Sequence, residues 1–272
     1  MHRLTELFEE RYLPHAKRTL KPRTVAEYAR LARVFVLPEL GDRMIDTLTL
    51  DDAEKLHASV PGAVQANRVI AVLSAMLTYA VERRLLAANP CRGLERNKEK
   101  GREFFYDKAQ CQRILAAAEA FPDIRGRYIA LGLLTGARPG ELLEMTPAWR
   151  SKDAIRTPDG KTGGRVIYLS PPARRIVDSL PRVGKHERYF PQGMDLRRAW
   201  GRIVRAAGVP YARLYDLRHT FASAALANDV GLDIIGMMLG HRKRETTLRY
   251  AHLSAETGAD AAAAAAAGMG AK

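Results

Sequence analysis

Along the first hundred residues the apolar positions recur at helical spacing, with no alternating stretch. Thr24-Val25-Ala26-Glu27 has the form of a capping box, and Val25, Tyr28, Leu31, Val34 and Phe35 follow on one stripe, which predicts a helix closed by Pro38 and Gly41. A second helix is predicted from near Thr49 to about Ser59, with Asp51 and Asp52 in the first turn, where carboxylates suit the helix dipole. The third and longest runs over about 63–86, carries Val69, Val72, Leu73, Met76, Leu77, Ala80 and Val81 on one stripe, and ends before Asn89-Pro90. Residues 1–91 therefore read as a small helical bundle. Residues 92–103 are mostly polar and charged, without apolar periodicity, and read as a linker.

A second domain is expected over 104–256. Asp107-Lys108-Ala109-Gln110 caps a helix through Ala120, and an apolar helix follows from about Ile124 to Leu134, stopping at Gly136. The strand signals lie between Ala154 and Ser170. There Asp159-Gly160 and Gly163-Gly164 bracket Lys161, and Arg165-Val166-Ile167-Tyr168-Leu169 alternates, which predicts a β-hairpin with Lys161 at its turn. Helices are predicted again over about 172–180, 195–206, 216–228, 233–239 and 245–253. The tail, 257–272, holds seven consecutive alanines from Ala261, with little apolar bulk to bury, and reads as a frayed end rather than a helix docked on a neighbouring subunit. The fold class is mainly α with a small β-hairpin or sheet.

Charge narrows the partner. Lys and Arg number 44 against 30 Asp and Glu, a net +14 that favours a polyanion. The arginines are dispersed rather than gathered into a polybasic stretch, which favours nucleic acid over a membrane surface, and no apolar run is expected to reach bilayer-spanning length. Residues 1–100 hold 17 basic and 13 acidic side chains and residues 101–272 hold 27 and 17, so the second part should carry more of the phosphate contacts. Met1 to Tyr12 lacks the apolar core of a secretory signal, and Cys91 and Cys111 form no CxxC pair, which fits thiols in a reducing cytoplasm.

Metal-free cleavage of a phosphodiester needs a nucleophile, neutralisation of the charge on the nonbridging oxygens, and a proton for the leaving oxygen. Tyr250 is the candidate nucleophile. Arg138 and Arg218 offer planar forks that bind phosphate in two parallel hydrogen bonds. Arg138 precedes Pro139 at a favourable first helical position, and Glu141, three residues on, can hold its guanidinium. Arg218 lies in the first turn of a helix after Asp216. His219 points about 100° away around that helix and is expected to pack or hydrogen-bond inside the fold. His241, after Gly240 at a helix end, is a helix partner or a phosphate ligand. Lys161 is the candidate proton donor. Three scattered histidines, His219, His241 and His252, lack the clustered spacing of a metal site.

Five segments in this order, TGARPGEL around Arg138, KTGGRVIYLS after the hairpin turn, DLRHTFAS around Arg218, LGH at His241 and TTLRYAHLS around Tyr250, resemble the successive boxes of the tyrosine recombinases, or phage integrases. The likeness in motifs covers about residues 104–256. The bundle before it is similar to that family's SAM-like core-binding domain in size, helix content and position. The resemblance implies a C-terminal α+β catalytic domain in which Tyr250 attacks the scissile phosphate, leaving a 3′-phosphotyrosine and a free 5′-hydroxyl. Arg138, Arg218 and His241 would stabilise the pentacoordinate phosphate and Lys161 would protonate the leaving oxygen. It also implies rejoining without ATP or metal, a tetramer on two double-stranded DNA sites that clamps each duplex between two domains, accessory bending or directionality proteins, and a place in the prokaryotic cytoplasm at the nucleoid.

The chain departs from the pattern at Tyr215, where the family commonly has histidine or lysine. A phenol with a pKa near 10 is a poor base at neutral pH, so the departure leaves the source of base assistance to Tyr250 open. It also keeps in view a DNA-binding protein of the same fold with weakened catalysis. A type IB topoisomerase shares the chemistry and is the further alternative. About twenty residues precede the helix expected at Thr24, which fits a simple recombinase or a fragment without an arm-binding domain.

Overall fold

The computed structural model describes residues 2–99, 101, 104–158, 164–181 and 183–251, together with 266 and 269. The chain divides into two units, Met1–Gly101 and Arg102–Lys272.

The first unit is helical from its start. Helix α1 (Leu4–Glu6) widens into π-helical turns over Leu7–Tyr12 and resumes as α2 (Leu13–Thr19). Leu4, Leu7, Phe8, Tyr12, Leu13 and Ala16 from this stretch are all buried. The sequence reading passed over it because Glu6, Glu9, Glu10 and Arg11 interrupt the apolar residues; those charges lie on the outer side of a stripe that is nonetheless helical. Leu4 N–H donates to Arg43 C=O at 3.0 Å and Thr5 N–H to Gly41 C=O at 3.0 Å, tying the first turn to the loop before the second predicted helix.

Helix α3 (Pro22–Leu31) begins two residues before the predicted cap. Its N-cap is Lys21 and Pro22 occupies the first helical position, where no N–H is needed. Thr24 thus lies inside the first turn, and Glu27 pairs instead with Arg30 through two hydrogen bonds of 2.8 and 3.0 Å. Pro38 does not stop the chain. A π-helical stretch, Ala32–Val36, precedes α4 (Leu37–Leu40), and Pro38 sits in the opening turn of α4, so the helical path ends only at Gly41.

Helix α5 (Leu50–Ser59) agrees with the sequence reading, and α6 (Ala63–Glu82) starts where expected but stops short of Leu86, because Arg84 turns into the left-handed region (φ +57°). Thr49 accepts from Asp52 N–H at 3.2 Å while Asp52 accepts from Thr49 N–H at 2.9 Å, a reciprocal cap. Helix α6 is 20 residues long and holds an 18-residue window of mean hydropathy 1.3, so by length and composition alone it is apolar enough to cross a bilayer, contrary to expectation. Val69, Val72, Leu73, Met76, Leu77 and Ala80 instead form the centre of this unit's core. Part of the expected linker is tied to the same helix. The buried Asn67 accepts from Asn97 N–H at 3.0 Å and donates to Asn97 C=O and Glu99 Oε1, both at 2.9 Å.

The second unit packs around one helix. Helix α7 (Lys108–Glu119), capped by Asp107 and Gln110, lies on α8 (Ile124–Thr135). Most of α8 is buried, Tyr128 to Leu133 without a break, and its charged residues, Arg125 and Arg127, are confined to its first turn, so it is the axis of the unit. Helix α9 (Pro139–Leu143) follows, then an antiparallel sheet of β1 (Arg150–Ser151), β2 (Ala154–Thr157) and β3 (Arg165–Tyr168) in that order. Ile155 pairs with Ile167, and both are buried. Strand β1 adds an edge to the predicted hairpin. The expected turn residue Lys161 lies outside the described residues, as does most of the tail.

Helices α10 (Pro171–Asp178), α11 (Leu196–Ala207), α12 (Asp216–Leu226), α13 (Leu232–Leu239) and α14 (Glu245–Leu248) complete the unit. The predicted helix over 245–253 is therefore only one turn long before Tyr250. Trp200 of α11 is fully buried and donates to Ala212 C=O at 2.6 Å, fixing the loop that leads into α12. α12 packs on α8 and on α13, and β3 packs on α13. The C-terminal ends of α8 and α13 thereby face the start of α12.

The two threonines read from the sequence as helix caps, Thr24 and Thr49, should respond differently to alanine. Thr49→Ala is expected to cost about 1 kcal/mol of unfolding free energy, and Thr24→Ala to stay within about 0.5 kcal/mol, as read by urea denaturation. Equal losses would contradict the observed start of α3.

Candidate active site

Two helix ends organise the site. α8 terminates at Gly136 (φ +59°) and α13 at Gly240 (φ +65°), both in the left-handed region. Neither position has room for a side chain. A Cβ on Gly136 would stand 2.6 Å from Phe221, and one on Gly240 would stand 2.4 Å from Arg165. The carbonyls at these ends, which have no partner within their own helices, are taken up by arginines.

Arg218, 2% exposed, donates to Gly136 C=O at 2.8 Å and to Leu239 C=O at 2.5 Å, bridging the two helix ends. Arg138 caps α9. Its N–H donates to Glu141 Oε2 at 2.8 Å, its Nη1 to Glu141 Oε1 at 2.7 Å and its Nη2 to Gly240 C=O at 3.1 Å. The pairing with Glu141 read from the sequence is present. A third arginine joins them. Arg165 of β3 donates to Met238 C=O at 2.9 Å and places Nη2 2.9 Å from Glu141 Oε2. Strand alternation puts Arg165 and the buried Ile167 on one face, so the period-two pattern of β3 is the sequence signal for an inward-facing arginine.

Burial pulls the proton affinity of Arg218 down to about 10, with repulsion from Arg165 and Arg138 adding to it. It stays charged at neutral pH. Arg165 is lowered chiefly by burial too, partly offset by Glu141. Two guanidiniums thus share one carboxylate while a third, Arg218, is held by carbonyls beside them, an excess of positive charge with little water to screen it.

His241 follows Gly240 directly. Its Nδ1 lies 2.8 Å from Thr247 Oγ1 on α14, and its pKa falls to about 4 through burial and then the nearby Arg218, Arg138, Arg249 and Arg165. It is neutral at pH 7. Tyr250, just after α14, is 4% exposed and packs with Ala222, Ile235 and Leu239 in a small cluster of its own. Burial raises its pKa while Arg218 and Arg249 oppose the rise.

The Tyr250 hydroxyl lies 2.7 Å from His219 Nδ1. The sequence reading had His219 packing or hydrogen-bonding away from the phosphate; it does hydrogen-bond inside the fold, and its partner is the candidate nucleophile. What was missed is that the chain after α14 returns across the first turn of α12, a long-range contact that no local pattern announces. Tyr215, at the N-terminal end of α12, is 44% exposed and sets its ring edge-on to His219 at 5.6 Å between centroids. Arg138, Glu141, Arg218 and His241 are thus brought to the same two helix ends, Tyr250 is held through His219, and Lys161 and His252 lie outside the described residues. Among the described residues no group of three His, Cys, Asp or Glu side chains is placed to hold a metal ion.

The profile of the Phage integrase family matches residues 173–257, which include Arg218, His241 and Tyr250. The tyrosine recombinase XerC of Lactobacillus delbrueckii subsp. bulgaricus is 25% identical over 284 residues, covering 90% of this chain and 94% of that one. The integrase of Haemophilus phage HP1 is 30% identical over 203 residues, 71% of this chain and 57% of that one. In fold, the chain is similar to lambda integrase residues 75–356, solved as a dimer bound to a COC′ core site (TM-score 0.76, 19% identity, 92% and 95% covered), and to a lambda integrase tetramer bound to a Holliday junction (TM-score 0.74, 19% identity, 90% and 79% covered).

The depressed pKa of His241 has a sign that can be checked. Unfolded histidine, near 6.5, takes up a proton that the folded ring refuses until about pH 4. The stability contributed by this ring is therefore complete above about pH 6.5 and is lost as pH falls toward 4. His241→Gln is expected to flatten the dependence of the urea midpoint on pH across that window, leaving the part due to His219, which burial also lowers. An unchanged slope would mean that the folded ring titrates normally.

Proposed function

We propose that this chain, which belongs to the phage integrase family of tyrosine recombinases and is a site-specific DNA recombinase, cuts DNA with Tyr250 while Arg138, Arg165 and Arg218 neutralise the scissile phosphate. The observation that carries this reading is the gathering of three guanidiniums, two of them on the carboxylate of Glu141 and the third on the carbonyl ends of α8 and α13, next to a buried tyrosine that forms its own hydrogen bond. A phosphodiester supplies the missing negative charge, and the charge added at the pentacoordinate stage is met by donors already in position.

The neutral ring of His241 suits hydrogen bonding to a nonbridging oxygen, with Thr247 fixing its orientation through Nδ1. Lys161, as the resemblance implies, protonates the departing 5′-oxygen. The resulting 3′-phosphotyrosine keeps the energy of the ester, so a 5′-hydroxyl from a second duplex can reseal it, integrating or excising a mobile element. Fold similarity to a lambda integrase tetramer on a Holliday junction supports assembly on two duplexes. The net +14 supports DNA as the partner and predicts affinity that falls steeply with salt. Tyr215 does not argue for a catalytically weakened protein, because the nucleophile already has a partner in His219.

A nicked suicide duplex carrying the site that the chain selects from a random duplex library tests this directly. The wild-type chain is expected to form a covalent complex that Tyr250→Phe abolishes, and Arg218→Ala is expected to slow its formation by about 10²–10³-fold. Absence of a Tyr250-dependent complex overturns the reading.

A further inference from the structure

The Tyr250 hydroxyl and its partner form an arrangement whose chemistry the roles above leave unused. We infer that His219 is a further catalytic residue, the base that takes the proton from Tyr250 as it attacks, in the place that Tyr215 is ill suited to fill. The inference rests on the recombinase reading.

Three observations carry it. The first is contact with the reacting atom: His219 Nδ1 stands 2.7 Å from Tyr250 Oη, at hydrogen-bonding distance for direct transfer. The second is rigidity. The histidine lies in the buried first turns of α12, one residue after Arg218, so the same backbone that fixes the phosphate-binding fork fixes the base. The third is that Tyr215 is the more exposed ring and meets His219 edge-on, while the hydroxyl of Tyr250 is directed to His219.

The protonation states agree with this geometry. The groups that face His219 are Asp216 and Arg218 on its own helix, Arg249 and Tyr250 from the chain after α14, and Tyr215. Burial, Arg249 and Arg218 lower the ring's pKa and Asp216 alone raises it, so the ring is neutral at pH 7 and able to accept. The phenol is raised by burial and still holds its proton. It needs a base within reach when it attacks.

The step balances. Tyr250 Oη forms its bond to phosphorus as its O–H bond breaks, and the proton passes to His219 Nδ1, giving an imidazolium. The P–O5′ bond breaks, and O5′ takes a proton from a separate acid, the part given above to Lys161. In the return step a 5′-hydroxyl attacks the phosphotyrosine and gives its proton back to that acid, while the imidazolium reprotonates Tyr250.

Single-turnover cleavage of the same suicide duplex is the test. His219→Ala is expected to cleave at least about 10²-fold more slowly, to lose the acidic limb of the pH–rate profile, and to recover partly with added imidazole, while Tyr215→Phe keeps the acidic limb. A rate within threefold of wild type, or a slow variant that keeps the acidic limb and ignores imidazole, overturns the proposal. In the free chain, labelled with ¹⁵N-histidine, His219 is expected as the Nε2–H tautomer with Nδ1 accepting. The Nδ1–H tautomer overturns it even if the alanine variant fails to fold. A wild-type chain that forms no covalent complex at all would instead strike the recombinase reading.

Discussion

Three guanidiniums placed close together repel, and burial removes the water that would screen them. The site depends on how this repulsion is held in check without being cancelled. Glu141 supplies one negative charge, shared between Arg138 and Arg165. The rest of the restraint comes from the ends of α8 and α13, whose last carbonyls carry the negative end of each helix dipole. Arg218 spans both ends and keeps its charge at neutral pH. The excess of positive charge that remains favours an anion and is in place before any anion arrives.

The left-handed glycines follow from the same constraint. Gly136 and Gly240 turn the backbone sharply enough for terminal carbonyls to meet an arginine side-on, and a Cβ at Gly240 would occupy the space of the Arg165 stem. In the sequence these positions read only as helix stops. Their further role, presenting oxygen to cations from distant segments, depends on α8, β3 and α13 being neighbours, which no local pattern contains.

That limit accounts for most of what was and was not legible. Caps that close within three residues, such as Thr49 with Asp52 and Asp107 with Gln110, were visible because both partners lie in one turn. Arg138 with Glu141 was visible for the same reason. The capping box at Thr24 failed because Lys21-Pro22 offered an earlier start that needs no N–H. Arg165 was hidden within an alternating strand, and the partner of His219 was hidden because it lies 31 residues away. The order of the boxes told which side chains belong to one site, but not which of them touch.

Tyr250 rests outside the unit's main core. Its ring packs in a small cluster with Ala222, Ile235 and Leu239, beside a helix of one turn, and the last two of these belong to α13, whose end receives Arg218, Arg138 and Arg165. Local opening free energies scale with what each part buries. A cluster this small opens more readily than the main core, so a displacement of the Tyr250 ring is felt at the same α13 end that the three arginines grip.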